Sequence, residues 1–291
     1  METDTFRRMR IAHLGRPGGD PVGFAALRTD FITRNPGYDL AWLPRTTALA
    51  ALPEARIAFV QSGQATGSVG QRVSPLGCGD VIVLAPGDAL TLDAPLAILV
   101  FSVPDSVDPA IPTFLRPDHD PALTDTPGGC ATDARAYRRV VLTWLDENGP
   151  FRYRALNAHR VRMTDSFSHY HPEDGGFDEM YLVQGVEPGG RLYTSSAVEE
   201  IESPTGVSPE RIPELVVETP IEEGDFVWVG RGHMHRAVGG VLAHVITVPG
   251  FVPGSEIGLD HHLRALDERL PPDAGRRVPY HAAASDGPVI K

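Results

Sequence analysis

Apolar positions in this chain fall in short runs, and a Gly, Pro, Asp or Asn stands close to the end of most of them. Runs of that kind, rich in Val, Ile, Leu and aromatic residues, fit strands better than helices, whose apolar stripe needs a longer stretch at helical spacing. The first set lies at 38–43, 55–63, 79–88 and 94–103, the third of these held between Gly79-Asp80 and Pro86-Gly87-Asp88. Residues 104–132 are rich in Pro, Asp, Thr and Gly without periodicity, and read as a linker or a surface arm. The run 137–145 is too short for periodicity to separate helix from strand. A second set follows at 160–168, 179–186, 191–194, 223–235 and 241–248, with a turn at Glu187-Pro188-Gly189-Gly190 and a polar insertion at 197–213.

The two sets share a layout. Gly224-Asp225 followed by Phe226-Val227-Trp228-Val229 repeats Gly79-Asp80 followed by Val81-Ile82-Val83-Leu84, and a further apolar strand comes after each. This is an internal duplication of architecture. It predicts an all-β fold of two closed or double-sheet units with few short helices: residues 1–104, a linker or arm at 105–150, a second unit at 151–255 and a tail at 256–291.

Composition supports strands and narrows the partners. Thirty Gly and 27 Pro among 291 residues favour many strands joined by turns, and 42% hydrophobic residues are enough for real cores. A net charge of -12 argues against nucleic acid and anionic membranes, which require clustered Lys and Arg; a small-molecule substrate is the expected partner. Cys78 and Cys130 make neither a disulfide framework nor a Cys-x-x-Cys pair, so both are expected to be reduced and structural. The polar start lacks an apolar signal core and no later stretch is long enough to span a bilayer, so the expected compartment is the cytoplasm.

Chemistry concentrates at 168–185. Side chains two apart on a strand point the same way, so His169 and His171 put both imidazoles on one face, where a carboxylate from the returning strand can meet them. Three acids compete for that place. Strand phase selects Glu179, counting back from Gly185 lands on Asp178, and Glu173 lies in the turn itself. Downstream, Gly232-His233-Met234-His235 supplies further imidazoles. His244 either lines the cavity or is a satisfied core histidine.

The pair of signatures, His-x-His with a following Glu, then Gly-Asp-x4-Gly-x-Gly-x-x-His, resembles the two motifs of the cupin superfamily, and the duplication makes the chain resemble a bicupin. The resemblance implies two cupin barrels, of double-stranded β-helix or jelly-roll type, and a metal held by His169, His171, Glu179 and His235. His233 is then a neighbour of the site or a surface residue. Two departures stand out: Gly230 replaces the family's usual proline, and the loop after His171 is longer than usual. Up to the end of the arm the chain carries only His13 and His119, neither at a motif position, so the first barrel is expected to lack metal ligands of the family's kind and to pack on the second or build a homodimer interface.

Three nitrogens and one oxygen suit divalent Zn, Mn, Fe or Ni, which acts as a Lewis acid on a substrate oxygen or binds oxygen directly. Tyr181, Phe167, Met163 and Trp228 are expected to line the cavity. The wording from Glu179 through Gly189-Gly190 to His235 is similar to the 5-deoxy-glucuronate isomerase and 5-keto-4-deoxyuronate isomerase group. It implies an aldose–ketose isomerisation of a sugar or sugar acid, with Glu173, Asp178 or His233 moving the proton and Tyr181 beside them. A dioxygenase using Fe(II) or Ni(II) and a non-catalytic small-molecule binder are the alternatives.

Overall fold

The structure, a computed structural model, describes residues 9–126, 137–145 and 147–291, so Cys130 lies outside the described residues. Its strands form two sheets, of seven and ten strands, that follow the two sets of apolar runs. Each sheet is organised by one long strand. In the first, Leu90–Val103 pairs with Asp39–Leu49, Ala55–Ser62 and Gln64–Val69. In the second, Met234–Val248 pairs with Arg191–Ser195 and His169–Tyr170 along its first part, and with Asn157–Asp165 and Asp178–Val186 along its second. Gly239 and Gly240, both at φ +81, separate the two parts. A Cβ at Gly239 would lie 2.4 Å from the Gly189 carbonyl oxygen, so only glycine lets the strand turn there and serve both layers of one barrel.

Pleating sorts the side chains of the second unit. Tyr181, Val183, Val227 and Val245 point into the barrel, whereas Met180, Leu182, Phe226, Trp228 and Ile246 point out of it, onto the first unit. There they meet Ile57, Phe59, Leu99 and Phe101 in one continuous core. Each buried side chain of this size stabilises the contact by about 1.5–3 kcal/mol. The joint is reciprocal: Gln61 Nε2 donates to the Val183 carbonyl at 2.7 Å, and Gln184 Nε2 to the Val60 carbonyl at 3.5 Å. His244 belongs to this joint. Its Nε2 lies 3.0 Å from the Gly79 carbonyl and its ring 5.1 Å from Phe59, so it is a core histidine facing away from the second barrel's interior.

The boundaries expected from the sequence do not coincide with the sheets. Met9–His13 pairs with Asp225–Val229 and so joins the second sheet, although it precedes the whole first unit. The segment 105–150 is more than an arm: Phe114–Leu115 adds to Val81–Leu84, and Arg138–Leu142, the run of open character, is a strand on Asn157–Asp165. The tail is built in as well. Ile257–Gly258 pairs with His169–Tyr170, and the helix Asp260–Glu268 buries Leu263 and Leu266 beside Ile201 and Met234. Short edge strands with mixed burial carry too little local pattern to announce themselves.

The helices are few and short, as expected; among the described residues the longest, Pro21–Arg34, lies in a stretch to which the apolar pattern assigned no element. Asp20 accepts from Gly23 N at 2.9 Å as its N-cap and Pro21 opens its first turn, while Leu27 and Phe31 bury against the joint. Among the described residues no helix is long and apolar enough to cross a membrane.

Candidate metal centre

Three strands and one loop position the cluster. Register sets His169 opposite His235 on one wall of the barrel, and Glu179 opposite Thr247 on the other. His171 follows two residues after His169 and returns to the same face. Ligand-type atoms of His169, His171, Glu179 and His235 all lie within 4.8 Å of one another, and all four residues are buried. His235 Nε2 is 3.3 Å from Glu179 Oε1, and His171 Nε2 is 3.8 Å from Oε2.

Backbone carbonyls choose the tautomers. His169 Nδ1 lies 3.1 Å from Phe167 O and His235 Nδ1 lies 3.2 Å from His233 O. An Nδ1–H donated to a carbonyl leaves Nε2 as a lone pair. All three Nε2 atoms of His169, His171 and His235 are buried without a hydrogen-bond partner. Burial pushes the His169 imidazole down to about 3 and holds His171 well below its usual range, so both are neutral at physiological pH. Burial works against ionisation of Glu179, but the surrounding His235, His171 and His169 outweigh it and hold the carboxyl well below the usual range. Three inward nitrogens without hydrogen-bond partners, beside one carboxylate, fit a divalent cation of the Zn, Mn, Fe or Ni type.

The surroundings fix this set. Tyr181 donates its hydroxyl to Glu179 Oε1. Phe167 stacks on His169 with centroids 4.3 Å apart, and Phe177 covers His171 at 3.9 Å. Rings packed this closely exclude water and strengthen every charge interaction inside.

Other expected residues go elsewhere. Asp178 faces outward, because neighbours on a strand point to opposite sides; it accepts from Asn35 Nδ2 at 2.6 Å, Trp228 Nε1 at 3.1 Å and Arg231 N at 3.0 Å. Its carboxylate is a tie between helix, strand and turn, not a ligand or a base at the cluster. Glu173 is half-exposed in its turn and pairs with Arg34 Nη2 at 2.8 Å. His233 gives its carbonyl to His235, and its imidazole is outside the four-residue cluster. Trp228, expected in the cavity, belongs to the joint with the first unit. Met163 and Tyr181 do face the barrel interior.

Polar groups that the sequence reading passed over also point inward. Thr247, level with Glu179, has a buried Oγ1 without a hydrogen-bond partner. His159, level with Val245, has a buried Nε2 in the same condition, and burial pushes its imidazole down to about 3. The signal for both was a polar residue at an inward position of an alternating run. Among the described residues one other His/Asp/Glu group, His13 with Glu222 and Asp225, comes together, but it is partly exposed. Asp225 already accepts from Glu222 N at 2.9 Å and lies 2.7 Å from His13 Nδ1.

No family model matches the chain, and no curated protein matches it. Solved structures do resemble it. An oxalate decarboxylase from Lactobacillus farciminis is 13% identical, with 78% of this chain and 81% of that one covered at a TM-score of 0.48. An IolB-like protein from Salmonella typhimurium LT2 is 14% identical over 73% and 82%, at 0.47. Procruciferin, an 11S globulin from Brassica napus, is 10% identical over 76% and 78%, also at 0.47. Likeness of this degree, spread over two differently named enzymes or enzyme-like proteins and a globulin, carries no functional argument, which therefore rests on the geometry of the site.

Proposed function

We propose that this chain is a metal-dependent enzyme that isomerises a small sugar or sugar acid. The observation that carries the reading is the convergence of three buried, unpartnered imidazole nitrogens on an ionised carboxylate inside the second barrel. A divalent ion bound there supplies Lewis acidity to adjacent substrate oxygens. The chain's own residues supply the rest. Tyr181 holds one oxygen of Glu179 in place, Thr247 offers an unused hydroxyl at the same level of the barrel, and Phe167 and Phe177 keep water from the imidazoles. Such a lining favours a substrate that brings its own hydroxyl and carbonyl oxygens. Isomerisation moves protons without net oxidation, so it asks for polar partners and no further cofactor.

The aromatic cover on His169 and His171 favours one competing reading, a dioxygenase whose centre is shielded from water. Metal analysis by mass spectrometry of protein purified without chelators, beside an oxygen electrode, separates the two. Zinc or manganese with aldose–ketose interconversion and no oxygen uptake supports the isomerase. Bound iron with oxygen consumption sinks it. A wild type that retains no metal and matches His169→Ala in every respect leaves a non-catalytic binder.

A further inference from the structure

Three strands of the second sheet lie side by side at the level of the cluster. Register sets Glu179, Thr247 and Asn157 in one row of the inward face, and Tyr181, Val245 and His159 in the next. Most of these side chains are accounted for. Glu179 belongs to the cluster and accepts from Tyr181, Val245 is apolar, and Asn157 donates to the Tyr153 carbonyl and accepts from Phe251 N at 2.7 Å. Two polar atoms remain, Thr247 Oγ1 and His159 Nε2, both buried and without a hydrogen-bond partner among the described residues. Thr247 stands directly opposite Glu179, and His159 is its diagonal neighbour on the next strand, roughly 7–8 Å away between backbones. His159 keeps partial exposure beside the fully enclosed Val161 and Val245, so space next to it is unfilled. The first unit lacks this imidazole: Ala41 pairs with Val100 there, where His159 pairs with Val245 in the second. Two orphaned polar atoms on one face cost stability unless something that enters the barrel partners them.

We propose that Thr247 and His159 form a hydroxyl-binding subsite beside the metal centre, which selects a substrate bearing several hydroxyls along an open carbon chain. The proposal rests on the metal-enzyme reading above and names the residues that read the substrate. The Thr247 hydroxyl both donates and accepts, and His159, kept neutral by burial, offers one ring nitrogen. Each takes one hydroxyl of a chain that runs along the barrel wall away from Glu179. The diagonal spacing, roughly 7–8 Å, is within the reach of an extended sugar chain and beyond that of a glycol. A ligand without hydroxyls at these points leaves both buried atoms unpaired, which is the strongest rejection a polar pocket offers. The groups that hold a polyol chain therefore exclude apolar and aromatic substrates.

The test uses the full chain loaded with Co(II), titrated by calorimetry with D-gluconate and with hexanoate, two carboxylates of equal charge and chain length that differ in their hydroxyls. Wild type is expected to bind gluconate at least about tenfold more tightly than hexanoate. Thr247→Val and His159→Leu each weaken gluconate about tenfold, leave hexanoate unchanged and retain the Co(II) content of wild type. Thr247→Ser, which keeps the hydroxyl, binds gluconate as wild type does. A wild type without a preference overturns the proposal, as does either variant that binds gluconate unchanged. Loss of Co(II) from Thr247→Val makes Thr247 a support of the cluster and also overturns it. Should Thr247→Val or His159→Leu not fold, Thr247→Ala or His159→Ala is read in its place by the same criteria. A wild type that takes up no Co(II) fails at the earlier stage and removes the metal-centre reading itself, and this proposal with it.

Discussion

In the first unit Leu49 pairs with Leu90 and Arg56 with Ser102; at the same points of the second, His169 pairs with His235 and Glu179 with Thr247. Shared anchors establish the equivalence. Gly79 N donates to Val60 O as Gly224 N does to Val183 O, and both glycines have positive φ, +91 and +84. Asp80 accepts from Gly77 N as Asp225 does from Glu222 N, so the same turn precedes the same strand in each unit. The backbone plan is common, and a few inward side chains decide the chemistry. Two leucines replace two imidazoles, and the Arg56 guanidinium, which donates to the Asp88 carbonyl at 2.8 Å, stands where the second unit has its carboxylate. Arginine keeps its proton even when burial lowers its pKa, as it does here, so a permanent cation occupies the place of a cation's ligand.

The sharpest way to break this comparison is to remove an imidazole on one side and a leucine on the other. His235→Ala is expected to abolish retained metal, read by mass spectrometry of the purified protein, while Leu90→Ala leaves the metal content of wild type. Retained metal in His235→Ala would end the ligand assignment. Acid comes next. Because His159, His169 and His244 are pushed down to about 3 by burial, the folded chain takes up fewer protons there than the unfolded one, whose histidines titrate near 6.5. Stability of the metal-free protein is therefore complete above about 6.5 and is lost progressively as pH falls toward about 3. Melting temperatures that stay flat over that window would contradict the neutral tautomers.

Smaller effects sharpen the same contrast. Leu90→Ala should cost about 2–5 kcal/mol in chemical denaturation, as a cavity in a filled apolar interior does. Tyr181→Phe removes the hydroxyl that holds Glu179 and should weaken metal binding roughly tenfold without changing its stoichiometry, by competition with a chelating dye. Gln61→Ala, at the reciprocal joint, should cost about 1 kcal/mol and leave metal affinity alone. A loss of metal on Gln61→Ala would mean that the joint and the centre are coupled.

Much of the second unit was legible because its signals are local. A two-residue alternation carries His169 and His171, and a Gly-x-x-His turn carries His235. The choice between Glu179 and Asp178 also lay in the alternation, yet needed the observed phase: one faces the imidazoles, the other Asn35, Trp228 and Arg231. What was hidden depends on register between distant segments. Nothing near Arg56 marks it as the counterpart of Glu179 until both are placed against their partner strands. The short strand Met9–His13 was missed for the same reason.

That strand sets the order in which the molecule can be assembled. Its register, Met9 with Val229 and His13 with Asp225, joins segments from opposite ends of the chain, so during synthesis it stays without a partner until the ribosome has passed Val229. The last imidazole, His235, follows almost at once, and the His169 strand waits longer still for Gly258. Contacts this remote close slowly, which places completion of the second barrel after translation of nearly the whole polypeptide. Pulse-labelled hydrogen exchange on stalled nascent chains would expose an unprotected Met9–His13 in any chain shorter than that, and early protection there would refute the order.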